Sequence, residues 1–416
     1  MTARPESRRF PDRQPSILAV CDSDSYLKWG CATLDALPAD WRRDVLLLRT
    51  PILPTGAQIA AATTGTFQQD KPTAVIERAR LGAELARRGP DLVLAAATGP
   101  VAEQILVSAA RIEHRPALVT GLPGVALPAT FKALRYRSLS DAFITHSYAE
   151  QRQFRERAAS LQLPVDILLS RLPFLTADVD HANFPQGDAP APDRVVFAAQ
   201  AKVPVAVADR EKILLSLAAC KRRSPSTDVD IKLRARPGEA QTHLEHHPYD
   251  ELWTHLARRG EVRGDELRFV DGPMSAHLGE GTVLATVSST AALEAIDAQL
   301  PVQIVDDFGV NDEMLNTPFI GSGCVGSLAD LAAGRFRYAA REWLGENYFH
   351  PADSKLQDAF ERLAASSRTG ALPETASRVR KLRIRRVRAE IRTALPAPAV
   401  RLVRRLQSGY RAATTP

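Results

Sequence analysis

Three clusters of residues have the types and spacing to do chemistry. Residues 283–295 read VLATVSSTAALEA, an apolar run passing into Ser288, Ser289 and Thr290 and then into strong helix formers. A helix start offers unpaired backbone N–H groups and the positive end of the helix dipole, and small hydroxyl side chains let a phosphate come close. Glu294, in the first turns, is placed to accept from a ribose hydroxyl. The same pattern also describes an ordinary N-cap. The second cluster, IKLRARPGE at residues 231–239, puts Arg234 and Arg236 at a strand end, with Pro237, Glu239 and, further on, His243. Paired guanidinium donors suit phosphate or carboxylate; the alternative is a solvated strand end. The third cluster is Asp22-Ser23-Asp24-Ser25, directly after the first apolar run. Either carboxylate is a candidate general base for a hydroxyl acceptor, or the pair caps a helix as an Asx turn. Gly121 and Gly124 in GLPGV, together with His146, are candidates for admitting or contacting an acceptor.

Two successive trains of short strands and helices must position these residues. In the first, apolar runs at 16–21, 44–48, 91–95, 116–120 and 141–145 read as strands. Segment 164–169 closes the half, and helical patterns cover 27–37, 74–88 and 101–111. In the second, strands are expected at 194–198, 228–233, 266–270, 282–286 and 301–305, with helices over 209–220, 247–258 and 290–299. Such alternation predicts α/β structure: two Rossmann-like parallel-sheet domains facing a central cleft, since ligands bind outside the carboxyl ends of parallel strands. The expected boundaries are a leader at 1–14, a first domain at 15–175 and a Pro- and Asp-rich linker at 176–193. A second domain at 194–335, crossing helices at 336–376 and a basic amphipathic segment at 377–416 complete the chain.

Composition removes several classes. With 416 residues, 45% of them apolar and 25% charged, the chain suits two globular domains. The net charge of +6 is localised: residues 378–411 hold twelve Lys/Arg against the single Glu390, so the remainder is net acidic. A nucleic-acid enzyme would surround its cleft with positive charge and aromatics, and Tyr410 alone interrupts the basic run as an aromatic. No nucleic-acid partner is expected. That run, with Val379, Leu382, Val387, Ile391 and Leu395 at three- to five-residue spacing, suits either an anionic membrane surface or packing on the protein. The four cysteines lack CxxC spacing and the histidines form no ligand set, so no metal is expected. No apolar run approaches the roughly 20 residues that span a bilayer, and the N-terminal residues lack an apolar signal core, so a cytoplasmic location is expected. Neither GxGxxG after the first strand nor a P-loop lysine motif is present, which argues against nicotinamide dehydrogenases and P-loop ATPases.

Over roughly residues 15–335 this layout resembles a GT-B glycosyltransferase. It is most similar to bacterial enzymes of capsular and cell-envelope polysaccharide synthesis, including sialyl-, polysialyl- and Kdo-transferase-like families, in an actinobacterial branch. Ser288-Ser289-Thr290 matches the family's Ser-Ser/Thr motif at a helix start; Arg236-Pro237 stands where the family has His-Pro. An arginine there can neutralise a leaving phosphate but cannot serve as a proton donor. The resemblance implies a nucleotide-sugar donor, a saccharide or glycolipid acceptor and no separate cofactor. It also implies metal-independent transfer, most simply with inversion, and places the family's base aspartate at Asp22 or Asp24. Its alternatives are a CDP-polyol phosphotransferase of teichoic-type polymer synthesis, a nucleotide-sugar epimerase and a non-catalytic nucleotide-binding scaffold.

Overall fold

The computed structural model describes residues 13–175, 182–233, 245–351, 355–380 and 382. The chain divides into a unit of residues 1–371 and a small C-terminal unit of residues 372–416.

In the first half the strands are β1 (Ser16–Cys21), β2 (Arg42–Leu48), β3 (Ala74–Ile76), β4 (Leu92–Ala96), β5 (Ala117–Gly121), β6 (Ala142–Thr145) and β7 (Asp166–Leu169). The helices are α1 (Asp24–Asp35), α2 (Gly56–Thr63), α3 (Leu81–Arg88), α4 (Gly99–Ala109), α5 (Phe131–Arg135) and α6 (Tyr148–Ser160). The second half has β8 (Arg194–Ala198), α7 (Val207–Arg223), β9 (Asp228–Lys232), α8 (Tyr249–Arg258), β10 (Arg268–Val270), β11 (Thr282–Thr286), α9 (Ala291–Asp297), β12 (Val302–Val305) and β13 (Val325–Gly326). Helices α10 (Leu328–Ala333), α11 (Arg341–Glu346) and α12 (Lys355–Thr369) follow.

Among the described residues, all pairings between these strands are parallel. The first sheet runs β3-β2-β1-β4-β5-β6-β7 and the second β10-β9-β8-β11-β12-β13. Both are doubly wound, with the order reversing between β1 and β4 and between β8 and β11, the places where such sheets open a crevice. Central strands such as SILAVC in β1 and LVLAA in β4 are buried at every position. Helices therefore cover both faces, and the strands read as continuous apolar runs without alternation.

One expected helix is corrected. Residues 74–88 divide into the edge strand β3, a 3-10 turn at Arg78–Arg80 and the shorter α3. Ala74, Val75 and Ile76 pair with Leu46, Leu47 and Leu48 of β2. A three-residue edge strand carries too little apolar repeat to be separated from the amphipathic helix that follows it.

The two halves share contacts beyond their own cores. Phe184 is buried with Leu172 and Leu175 of the first half in the core formed by α9, β11 and β12. Helix α12 returns to the first sheet, where Arg368 donates Nε and Nη2 to Asp91 (3.1 and 2.8 Å) and Ser367 Oγ donates to Arg115 O (3.0 Å). Among the described residues, no helix is long and apolar enough to cross a membrane.

Candidate functional site

The two reversal points are built alike. Past the end of β1, Asp22 accepts from Thr98, the residue before α4, through its backbone N–H (3.1 and 3.2 Å) and through its hydroxyl. Past the end of β8, the Gln200 side chain accepts from the backbone N–H of Ser288 (2.8 Å), just beyond β11. Each crevice is thus tied across its two central strands by one side chain, which leaves the flanking residues to face the other domain.

Asp22 is fully enclosed, and burial holds its carboxyl above the usual range despite the Thr98 hydrogen bonds and the charge of Arg137. Two residues on, Asp24 begins α1 and lines a cavity of about 830 Å³ between the halves. First-domain walls come from α1, α2 and the turn at Pro173 and Phe174; the second domain supplies Lys232 at the end of β9, residues 271–275 after β10, and Glu294 of α9. This volume lies within the roughly 300–1,000 Å³ range of small-molecule sites. The cavity opens at the carboxyl ends of both sheets, where the topology calls for a ligand.

Two of the candidate residues, Asp24 and Glu294, therefore meet across one space. Lys28, one turn after Asp24 on α1, bridges it: its Nζ lies 3.0 Å from Glu294 Oε2 and 4.5 Å from the Phe174 ring centroid. Thr290 also faces the first domain, since a Cβ on Gly124 would lie 2.6 Å from Thr290 Oγ1. Ser288 is turned inward and its hydroxyl donates to Leu315 O. Ser289 Oγ accepts from Ala291 N–H (3.2 Å) at the start of α9, whereas Thr290 makes no side-chain cap. Arg234, Arg236, Pro237, Glu239 and His243 lie outside the described residues.

Two candidates sit away from the cavity for clear packing reasons. Gly121 is glycine because a Cβ there would come within 2.7 Å of Trp29 Cζ2 and 3.0 Å of Ile144 O. His146 is buried; its Nε2 accepts from Trp29 Nε1 (3.0 Å) and its Nδ1 lies 2.9 Å from Ser170 O, which assigns the proton to Nδ1. Burial lowers its pKa to about 4. Beside it, Glu150 accepts from the N–H groups of His146 (2.7 Å) and Ala126 (2.8 Å) and from Tyr348 Oη (2.7 Å), and burial lifts its pKa to about 7. These groups hold the loop carrying Gly124 in place.

In the second domain, buried Arg210 ties the loop after β8 to residues 245–247. It donates to the carbonyls of Pro204 (2.8 Å), Gln200 (2.8 Å), Ala201 (3.0 Å) and His247 (2.8 Å), pairs with Glu245 Oε1 at 2.5 Å and lies over the Tyr249 ring. Nothing in the local sequence marks Arg210 or Lys28. Each is a cation on an otherwise ordinary amphipathic helix, and only tertiary structure supplies its partners.

Comparison with known proteins agrees with this fold. No curated protein matches the chain. A solved structure of S. aureus MnaA with UDP is similar at a TM-score of 0.52 and 8% identity, over 77% of this chain and 86% of that one. A UDP-GlcNAc 2-epimerase from Neisseria meningitidis, bound to UDP-GlcNAc, is similar at a TM-score of 0.50 and 11% identity, over 76% and 90%. The two parallel-sheet domains with C-terminal helices are the GT-B architecture. A family profile described as "Putative glycosyltransferase (DUF6716)" matches residues 17–364.

Proposed function

The chain belongs to that glycosyltransferase family, and on this premise we propose that it moves a sugar from a uridine diphosphate sugar to a hydroxyl of a cell-envelope saccharide or glycolipid. The observation that carries the reading is the cavity with Asp24 on one wall and Glu294 on the other, at the carboxyl ends of both sheets. UDP as the donor nucleotide is suggested by the solved structures of like fold, which hold UDP or UDP-GlcNAc.

In this reading Glu294 accepts from the donor ribose, and the sugar lies toward α1. Asp24 takes the proton of the acceptor hydroxyl as its oxygen attacks the anomeric carbon. The bond from that carbon to the diphosphate breaks, and the diphosphate leaves with the electron pair, giving inversion. Asp24 is preferred to Asp22 as base because Asp22 is enclosed and occupied by Thr98. Protein cations rather than a metal would stabilise the leaving group, Lys232 and the Arg234–Arg236 pair being nearest in sequence to the cavity wall. The basic composition of residues 378–411 favours an acceptor at an anionic membrane surface.

The test is the variant Asp24→Asn. A positioned general base contributes about 10²–10⁴-fold, so transfer should fall by that factor while UDP affinity stays within twofold. Unchanged turnover would remove Asp24 from the mechanism, and conversion of the donor to its epimeric nucleotide sugar without any acceptor would favour an epimerase.

A further inference from the structure

Helix α9 faces the first domain along one stripe. Thr290, Glu294 and Asp297 follow one another at four and three residues, a spacing that puts them on one helical face. Opposite them stand Gly124, Lys28 and Arg171 of the first domain. The outer contacts are close: Gly124 leaves no room for a Cβ beside Thr290, and Arg171 lies 3.8 Å from Asp297, both of those side chains being largely covered. The central contact is different. Lys28 and Glu294 pair at 3.0 Å, yet their side chains are 39% and 19% exposed and both line the cavity. A ligand that enters the cavity can reach this pair, while the contacts at either end of the stripe keep α9 where it is.

Glu294 is the carboxylate that the proposed donor reading assigns to the ribose, and this inference rests on that reading. A vicinal diol donates two hydroxyl hydrogens to a carboxylate, and one of the two Glu294 oxygens is taken by the lysine ammonium. Ribose and lysine therefore compete for the same acceptor. We propose that Lys28 is the intramolecular occupant of the ribose subsite, displaced from Glu294 when a ribonucleotide binds. Donor binding is then coupled to the breaking of a cross-domain ion pair, and Lys28 sets the affinity threshold for ribonucleotides without touching the base. The pair is part-exposed, so its contribution is that of a surface ion pair, equivalent to at most about fivefold in affinity.

The experiment is calorimetric titration of UDP and of 2′,3′-dideoxy-UDP into the wild-type protein, Lys28→Met and Lys28→Arg. Lys28→Met should bind UDP about two- to fivefold more tightly and leave the dideoxy analogue unchanged, because only the ribose diol competes with the lysine. Lys28→Arg, which keeps the cation, should retain the wild-type ratio of the two affinities. Weaker UDP binding in Lys28→Met would make Lys28 a direct donor contact and overturn the proposal, as would equal shifts for both nucleotides. Equal UDP affinity in wild type and Lys28→Met overturns it while leaving the donor reading intact. If UDP binds neither form, both fall.

Discussion

A methyl group added at Gly121 has an outcome whose sign is fixed by one indole ring. Gly121 ends β5, and a strand glycine replaced by alanine in free space should stabilise by about 0.5–1 kcal/mol through reduced chain entropy. Here the new Cβ would lie 2.7 and 2.8 Å from Trp29 Cζ2 and Cη2, well inside van der Waals contact, with Ile144 O at 3.0 Å behind it. Trp29 is fully buried and its N–H is held by His146, so the ring cannot turn aside without losing that bond. Overpacking of this kind costs about 1–3 kcal/mol, so Gly121→Ala should lower the stability of the first domain by about 2 kcal/mol. Urea unfolding followed by near-UV circular dichroism measures it. In a Trp29→Phe background, where the outer ring atoms are gone and only the Ile144 O contact remains, the same substitution should cost less than in the wild type. A neutral or stabilising Gly121→Ala in the wild-type background would refute the packing argument and return Gly121 to the role of a loop that admits a sugar.

Three further substitutions probe buried charge. Burial depresses His146 to about 4, below the 6.5 of an exposed imidazole, so its contribution is full above pH 6.5 and is lost as pH falls toward 4. Glu150 runs the other way: raised to about 7 from 4.5, it disfavours the fold increasingly as pH rises from 4.5 to 7. Relative to the wild type, His146→Gln should therefore gain stability on acidification from pH 7 to 4.5, and Glu150→Gln should lose it, in thermal melts across that range; parallel difference profiles for the two variants would contradict these assignments. Arg210→Met leaves the Glu245 carboxylate and several carbonyls without their donor, an uncompensated buried charge costing about 3–5 kcal/mol. Hydrogen exchange should accelerate first at residues 199–206 and 245–249, and uniform exchange across the second domain would argue against a local clamp.

Much of the architecture is written into local sequence because central parallel strands must be apolar on both faces. The runs at 16–21, 194–198 and 282–286 coincide with β1, β8 and β11 at both ends. Edge elements lack that signal: β3 is three residues and half exposed, β13 is two residues, and both are defined by pairing partners distant in sequence. The site divides the same way. Asp24 and Glu294 are legible because each stands just past a strand at the start of a helix, where topology puts ligands. Lys28 is invisible because a lysine one turn after an aspartate reads as a solvated helix face until Glu294 arrives from 266 residues away. Gly121 and His146 look like open loop and free imidazole, and Trp29 accounts for both.

The most direct test of the transfer site is a structure of the protein with UDP. The ribose hydroxyls should lie within hydrogen-bond reach of Glu294, with Lys28 withdrawn and the diphosphate beside Lys232, leaving the wall that carries Asp24 to the sugar and acceptor. UDP seated elsewhere, for example in the 220 Å³ pocket beside Gln303 and Cys324 at the far edge of the second sheet, would contradict it.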